Sequence, residues 1–277
     1  MGGQCFAATY WTQGSTMNQG RLSTFAFSVY TAILLAFLFA PIAIVVLFSF
    51  DAKGLAAFPF EAPTTEWYVS VARDPIMRKA AVNSVFVALG TTICCILIGT
   101  SAAFAIARFR FRRASIFAGL MALPLLLPHL LLGISLLSFF TSLGIGLSVW
   151  TAIIGHVLIT LPFLVFTLTS RIGSLDPQIP EAAATLGANP AQAFYRVTLP
   201  LLRSAMIGAM LLVIAWSLDE FSVSFFTIGS DNTLPIVIWG QMRAGVSPTV
   251  NAISALMVLA TILLIYVVHR LSDIRFQ

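Results

Sequence analysis

The chain has 277 residues, 59% of them hydrophobic and 9% charged, with a mean hydropathy of +0.97. Soluble domains carry about 25% charged residues, so an ordinary water-soluble fold is excluded and several apolar spans of about 20 residues are implied. The net charge of +5 does not point to nucleic acid, because in such a chain Lys and Arg set topology and meet anionic lipid.

Residues 1–24 read as an N-terminal cytoplasmic segment, followed by one transmembrane domain over 25–277. The first 16 residues carry no charge, and Met17, followed by Arg21, is a candidate natural start. The run Phe25–Phe50 is 26 residues long, too long for the apolar part of a cleavable signal, so it reads as a retained span. Residues 51–79 form a mixed loop in which Trp67 and Tyr68 suit an interface. Residues 80–107 are the second span, and Cys94 and Cys95 within it read as small packing residues, not as a redox or metal pair. "RFRFRR" (108–113) then places four arginines in six residues, a topology and headgroup anchor.

Residues 114–170 run 57 positions without Asp, Glu, Lys or Arg. This is too long for one span, and the run divides at "SLGIGLS" (142–148) into a hairpin of spans 115–140 and 148–170. Spans five (204–226) and six (247–268) complete the count. Six spans put both termini on one side, together with ten of the fifteen Lys and Arg residues. That side is expected to be the cytoplasm, although Arg78 and Lys79 count against it. Small residues at Gly99, Ala103 and Ala107, and again at Ser204 and Gly208, are expected to let helices approach closely. Pro124, Pro128 and Pro162 are expected to interrupt their helices. The expected class is an all-α membrane protein.

Between spans four and five lies "SLDPQIPEAAATLGANPAQAFYRVTLP" (174–200). Asp176-Pro177 and Asn189-Pro190 each offer an N-cap followed by proline at the first helical position. Gly187 stands where a left-handed residue would stop the first helix, and Pro200 is expected to end the second. The result is two short, rigid helices at the membrane surface. The small face of Ala182, Ala183 and Ala184 permits close approach by a partner groove.

Glu181-Ala182-Ala183, Gly187 ten residues before Val197, and Leu199-Pro200 match the EAA loop of ABC importer permeases, with Val197 where isoleucine is commoner. The segments 67–88, 218–229 and 234–252 resemble the spermidine/putrescine-type branch. The resemblance implies the type I importer permease fold and a translocation pathway for polyamines or a related small cation. It implies a cytoplasmic ABC ATPase dimer, a second homologous permease and a periplasmic or other extracytoplasmic substrate-binding protein as partners. The coupling residues it implies are Glu181, Ala182, Ala183, Gly187, Val197, Leu199 and Pro200. The implied location is the bacterial inner membrane, and the subunit itself is not an enzyme. Only Lys53 and Lys79 are lysines, and neither ends a phosphate-binding loop. No cofactor or metal is expected.

Asp219 and Glu220 are expected about 24 Å into span five, at 1.5 Å per residue. Charge there costs at least ~2.5 kcal/mol and usually faces a cavity or partner. The pair reads either as an acidic lining for a cation, or as a structural cap or contact with the partner permease. His129 and His156 read as hydrogen-bonded structural groups, and Arg243 and Asn251 as weaker pathway candidates. The rival class is a proton-coupled secondary transporter that uses both histidines and both acids.

Overall fold

The computed structural model describes residues 21–53, 60, 62–108, 114–245 and 248–273. Met17 and most of the arginine run fall outside them. Among the described residues every long element is helical. The chain forms two compact units, Met1–Val45 and Val46–Gln277.

The described part of the first unit lies on helix α1 (Arg21–Phe48). Its residues are apolar around the whole circumference, as befits a helix surrounded by hydrocarbon. Ser28 and Thr31 turn their hydroxyls back onto the carbonyls of Thr24 and Phe27, 2.9 and 2.8 Å away. Their polar groups are therefore satisfied without water.

The second unit begins with a surface turn and the short helix α2 (Glu66–Arg73). Both aromatic residues of α2 are anchored by their polar ends. Trp67 Nε1 donates to the Asp51 carbonyl at 2.9 Å, and the Tyr68 hydroxyl meets Ser49 Oγ at 2.5 Å. Then come α3 (Pro75–Arg108), α4 (Ala114–Leu126), α5 (His129–Ser142) and α6 (Val149–Gly173). A surface pair follows, α7 (Gln178–Thr185) and α8 (Pro190–Ala193), and leads into α9 (Leu199–Asp219). The chain closes with α10 (Ser222–Thr227), α11 (Leu234–Ala244) and α12 (Pro248–Asp273).

The core lies where α3, α6 and α9 pack together around Cys95, Ala103, Leu164, Leu168, Leu202 and Val213. Small residues set the spacing. A Cβ on Gly99 would stand 2.5 Å from Leu164 Cδ2, and one on Gly90 would stand 2.7 Å from Ile153 Cδ1. Ala103 is fully buried beside them. The stripe at Ser204 and Gly208 behaves differently. Ser204 is exposed and nothing lies within 4 Å of a Cβ on Gly208, so neither position sets a helix contact among the described residues of the second unit.

Five described helices are long and apolar enough to cross a membrane, and a sixth span results if α4 and α5 are taken together. Span three is thus a bent pair, with 102° between its halves at Leu127-Pro128. Of the three prolines expected to interrupt helices, only Pro128 does so. Pro124 and Pro162 remain inside α4 and α6. The hairpin at 142–148 closes by a Schellman stop. Gly144 at φ +69° donates to the Thr141 carbonyl, and Ile145 to that of Phe140.

Span five also differs from its expected bounds. It begins well before residue 204, because α8, a π-helical turn at Phe194–Thr198 and α9 form one helical run, Pro190–Asp219. Pro200 does not end the second surface helix. Wider bonding in the turn, with Leu199 N–H on the Phe194 carbonyl, lets the chain pass the proline that lacks an N–H. At its far end the helix stops at Asp219 and not at 226, because Glu220 takes an extended conformation (φ −74°, ψ 108°).

Candidate functional site

Two sets of residues stand out, one at the surface and one inside the bundle. On the surface pair, the Asp176 carboxylate accepts the Gln178 N–H at 2.9 Å, capping α7 at its start. Thr185 Oγ1 turns back onto the Glu181 carbonyl. Gly187 ends the helix at φ +87°, donating to the Ala184 carbonyl at 2.9 Å, while Ala188 donates to Ala183 at 3.0 Å. That is a complete Schellman motif. Asn189 then opens α8 with a reciprocal box: its Oδ1 accepts the Gln192 N–H at 2.8 Å, and Gln192 Oε1 accepts the Asn189 N–H at 3.0 Å.

Glu181, Ala182 and Pro200 are exposed, while Ala183, Val197 and Leu199 are half-buried. Glu181, Ala184 and Ala188 also line an open cavity of about 440 Å³ with Phe104 and Arg108 at the end of α3. Of the three alanines of the expected small face, Ala184 borders this recess.

Inside the bundle, the two acids sit where span five breaks, and the break turns them apart. Asp219 is exposed and makes no hydrogen bond or ion pair among the described residues. Glu220 is 6% exposed. Its Oε1 accepts the Val223 N–H at 3.0 Å, capping α10, and its Oε2 lies 2.8 Å from His129 Nδ1. His129 opens α5 immediately after the bend at Pro128, so this one contact joins the breaks of spans three and five. The His129 ring also packs on Trp216 at 6.0 Å, and Trp216 meets Phe163 at 6.1 Å.

His156 is fully buried on α6, with Nδ1 2.7 Å from Ser217 Oγ and Nε2 2.7 Å from Ser224 Oγ. It does not touch the acids through any of these bonds. Arg243 stacks over Trp239 at 4.9 Å, and Trp239 packs on Phe221 and Phe225. Asn251 lies on α12 with a buried Nδ2 that has no hydrogen-bond partner among the described residues. Sequence reasoning missed the contact between His129 and Glu220, and Trp216 with it. The available signal was a histidine directly after a span-breaking proline.

A bundle of apolar helices with broken spans, acids at a break and a capped helical pair on its surface is a membrane transport permease. Residues 95–276 match the family of binding-protein-dependent transport system inner membrane components, and the chain belongs to that family. It is therefore a multi-pass inner-membrane subunit of an ABC importer. Among its relatives is the putrescine transport system permease protein PotI of Escherichia coli K12, 34% identical, with 79% of this chain and 81% of that protein covered. The spermidine/putrescine transport system permease protein PotC of Haemophilus influenzae is 31% identical, with 88% and 93% covered. A molybdenum transport system permease protein, ModB of Mycobacterium bovis, is 32% identical over 69% of this chain and 78% of its own length.

The fold matches a bacterial ABC transporter that imports alginate, with TM-score 0.71 at 15% identity over 94% of this chain and 98% of that one. It also matches the MetNI methionine transporter, with TM-score 0.61 at 15% identity over 73% and 96%. The type I importer permease fold expected from the sequence is thus present. The comparisons give the proton-coupled rival no support.

Proposed function

We propose that this permease carries a polyamine or a closely related small organic cation, and that residues 181–200 couple its movement to a cytoplasmic ATPase dimer. Identity alone does not select the solute, since polyamine and molybdenum permeases are similar to this chain at 31–34%. The two polyamine relatives match more of the chain. The acids at the break of span five suit a cation and oppose an oxyanion. Asp219 stands exposed with no partner among the described residues, and a carboxylate in an apolar setting attracts an ammonium group strongly.

The observation that carries the coupling reading is the unbroken helical run from Pro190 to Asp219. A push on the capped surface pair is transmitted along one rod to the residue that borders the pathway. Closure of the ATPases on ATP then tilts that rod, and the pathway opens outward to a loaded extracytoplasmic binding protein. Exposed Ser204 and Gly208, which has nothing within 4 Å of a Cβ among the described residues, suit close contact with a second, homologous permease. Both termini and the surface pair are cytoplasmic in this reading, and lipid surrounds the rest.

The test is uptake by the assembled complex in ATP-loaded proteoliposomes, with labelled putrescine and spermidine against molybdate. ATP-dependent uptake of either polyamine, indifferent to a proton ionophore, is expected. Uptake of molybdate alone overturns the choice of solute, and uptake without ATP overturns the mechanism.

A further inference from the structure

A helix that stops inside an apolar bundle leaves carbonyls on one side of the gap and N–H groups on the other, and each needs a partner. At the break in span five, Glu220 takes the Val223 N–H. The two helical segments are then joined by a single ring. Ser217 lies in the last turn of α9 and Ser224 in the first turn of α10, and His156 bonds to both at 2.7 Å, one through each nitrogen. A neutral imidazole has one donor and one acceptor, and a serine hydroxyl can serve as either. One serine can donate to the ring and the other accept from it, so both imidazole nitrogens are satisfied with no water required.

The ring is itself fixed. His156 and both serines are buried at 0–3% exposure. The His156 carbonyl accepts Thr160 Oγ1 at 2.7 Å, and Thr160 continues to Cys95 Sγ on α3 at 3.3 Å. The neighbouring Gly155 lets α10 sit directly on α6, since a Cβ there would stand 2.5 Å from Val223 Cγ1. Thr151 Oγ1 donates to the Thr227 carbonyl at 2.6 Å and holds the other end of α10. Both segments of span five are thus referenced to α6, and the width of the gap between them is set by an imidazole.

We propose that His156 is a positioning residue for transport: by bracing Ser217 against Ser224 it sets the angle of the break, and so where Asp219 and Glu220 stand in the pathway. The proposal rests on the reading of that break as the cation path. A histidine that only fills the core supports the amount of folded protein. A brace controls, in addition, how much solute each catalytic cycle moves.

The experiment uses the full complex with its binding protein in ATP-loaded proteoliposomes, with putrescine and spermidine as probes, and records solute accumulated per ATP hydrolysed. This ratio does not depend on how much complex assembles. His156→Ala is expected to lower it about tenfold, the scale of losing two buried hydrogen bonds. His156→Gln, which keeps a donor and an acceptor, recovers part of the loss. Ser217→Ala and Ser224→Ala each lower the ratio, and adding both to His156→Ala costs less than about twofold more, because the three act as one unit. A wild-type ratio in His156→Ala overturns the brace, as do losses that multiply across the three positions. Where His156→Ala fails to assemble, the two serine variants decide alone, and wild-type ratios in both overturn it. Spin labels on Leu212→Cys and Phe225→Cys, exposed positions of α9 and α10, report the angle without any solute, and unchanged distances on loss of His156 also overturn the brace. A wild-type complex that takes up neither probe overturns the polyamine reading instead, and the label distances then decide the brace by themselves.

Discussion

Asp219 and Glu220 are neighbours in sequence and have little else in common. Glu220 holds two partners, His129 and the Val223 N–H, inside the protein, whereas Asp219 is exposed. Glu220→Ala is expected to destabilise the assembled protein by about 1–3 kcal/mol, since it leaves buried polar groups unmatched. Glu220→Gln keeps both contacts possible and costs less. Asp219→Asn is expected to leave the melting temperature unchanged and to slow polyamine uptake about tenfold, the scale of one charged hydrogen bond. Melting curves and initial uptake rates on the same preparations check both, and an equal effect of both changes on stability contradicts the division. The acids were legible in sequence as a pair at membrane depth. Their separation was not, because the break between them carries neither proline nor glycine.

At the scale of elements, the surface pair was the most legible part of the chain. Asp-Pro, Gly and Asn-Pro each act through local backbone chemistry, and local chemistry can be read from sequence. The π-helical turn at Phe194–Thr198 was not legible, since Pro200 reads as a stop unless wider bonding in the preceding turn absorbs it. The bend of span three was legible only as a proline, not as an angle. Gly187 gives the test at this scale. Nothing lies within 4 Å of a Cβ on it, so a larger residue meets no clash and only the positive φ is penalised. Gly187→Val is expected to cost about 1–2 kcal/mol at the turn and to tilt α7 away from its stop. The bundle should then fold normally while binding-protein-stimulated ATP hydrolysis falls several-fold. Stimulated and basal hydrolysis, measured with the retained ATPase, separate this from misfolding, and wild-type stimulation removes the pair from the coupling role. Asn189→Ala, which breaks the reciprocal box at a cost of about 1 kcal/mol, should be milder in the same direction.

For the whole molecule, the proposed orientation rests on charge. Ten of fifteen Lys and Arg residues fall on the side of the surface pair, and the bias toward the cytoplasm depends on such counts near span ends. The opposing signal came from Arg78 and Lys79. Lys79 is paired with Asp231 at 2.6 Å, and Asn83 and Ser84 on the same helix hold the Asn232 carbonyl and the Leu234 N–H. Lys79 thus serves to pin a loop to α3, which weakens it as a topology signal. Two single cysteines in a Cys5→Ser background test the orientation, one at Leu186, which is 89% exposed at the end of α7, and one at exposed Thr65 before α2. A membrane-impermeant maleimide applied to intact cells is expected to label Thr65→Cys alone. In inverted vesicles it is expected to label Leu186→Cys alone. The reverse pattern puts the capped pair outside the cell, where no ATPase can reach it, and removes the basis for coupling through residues 181–200.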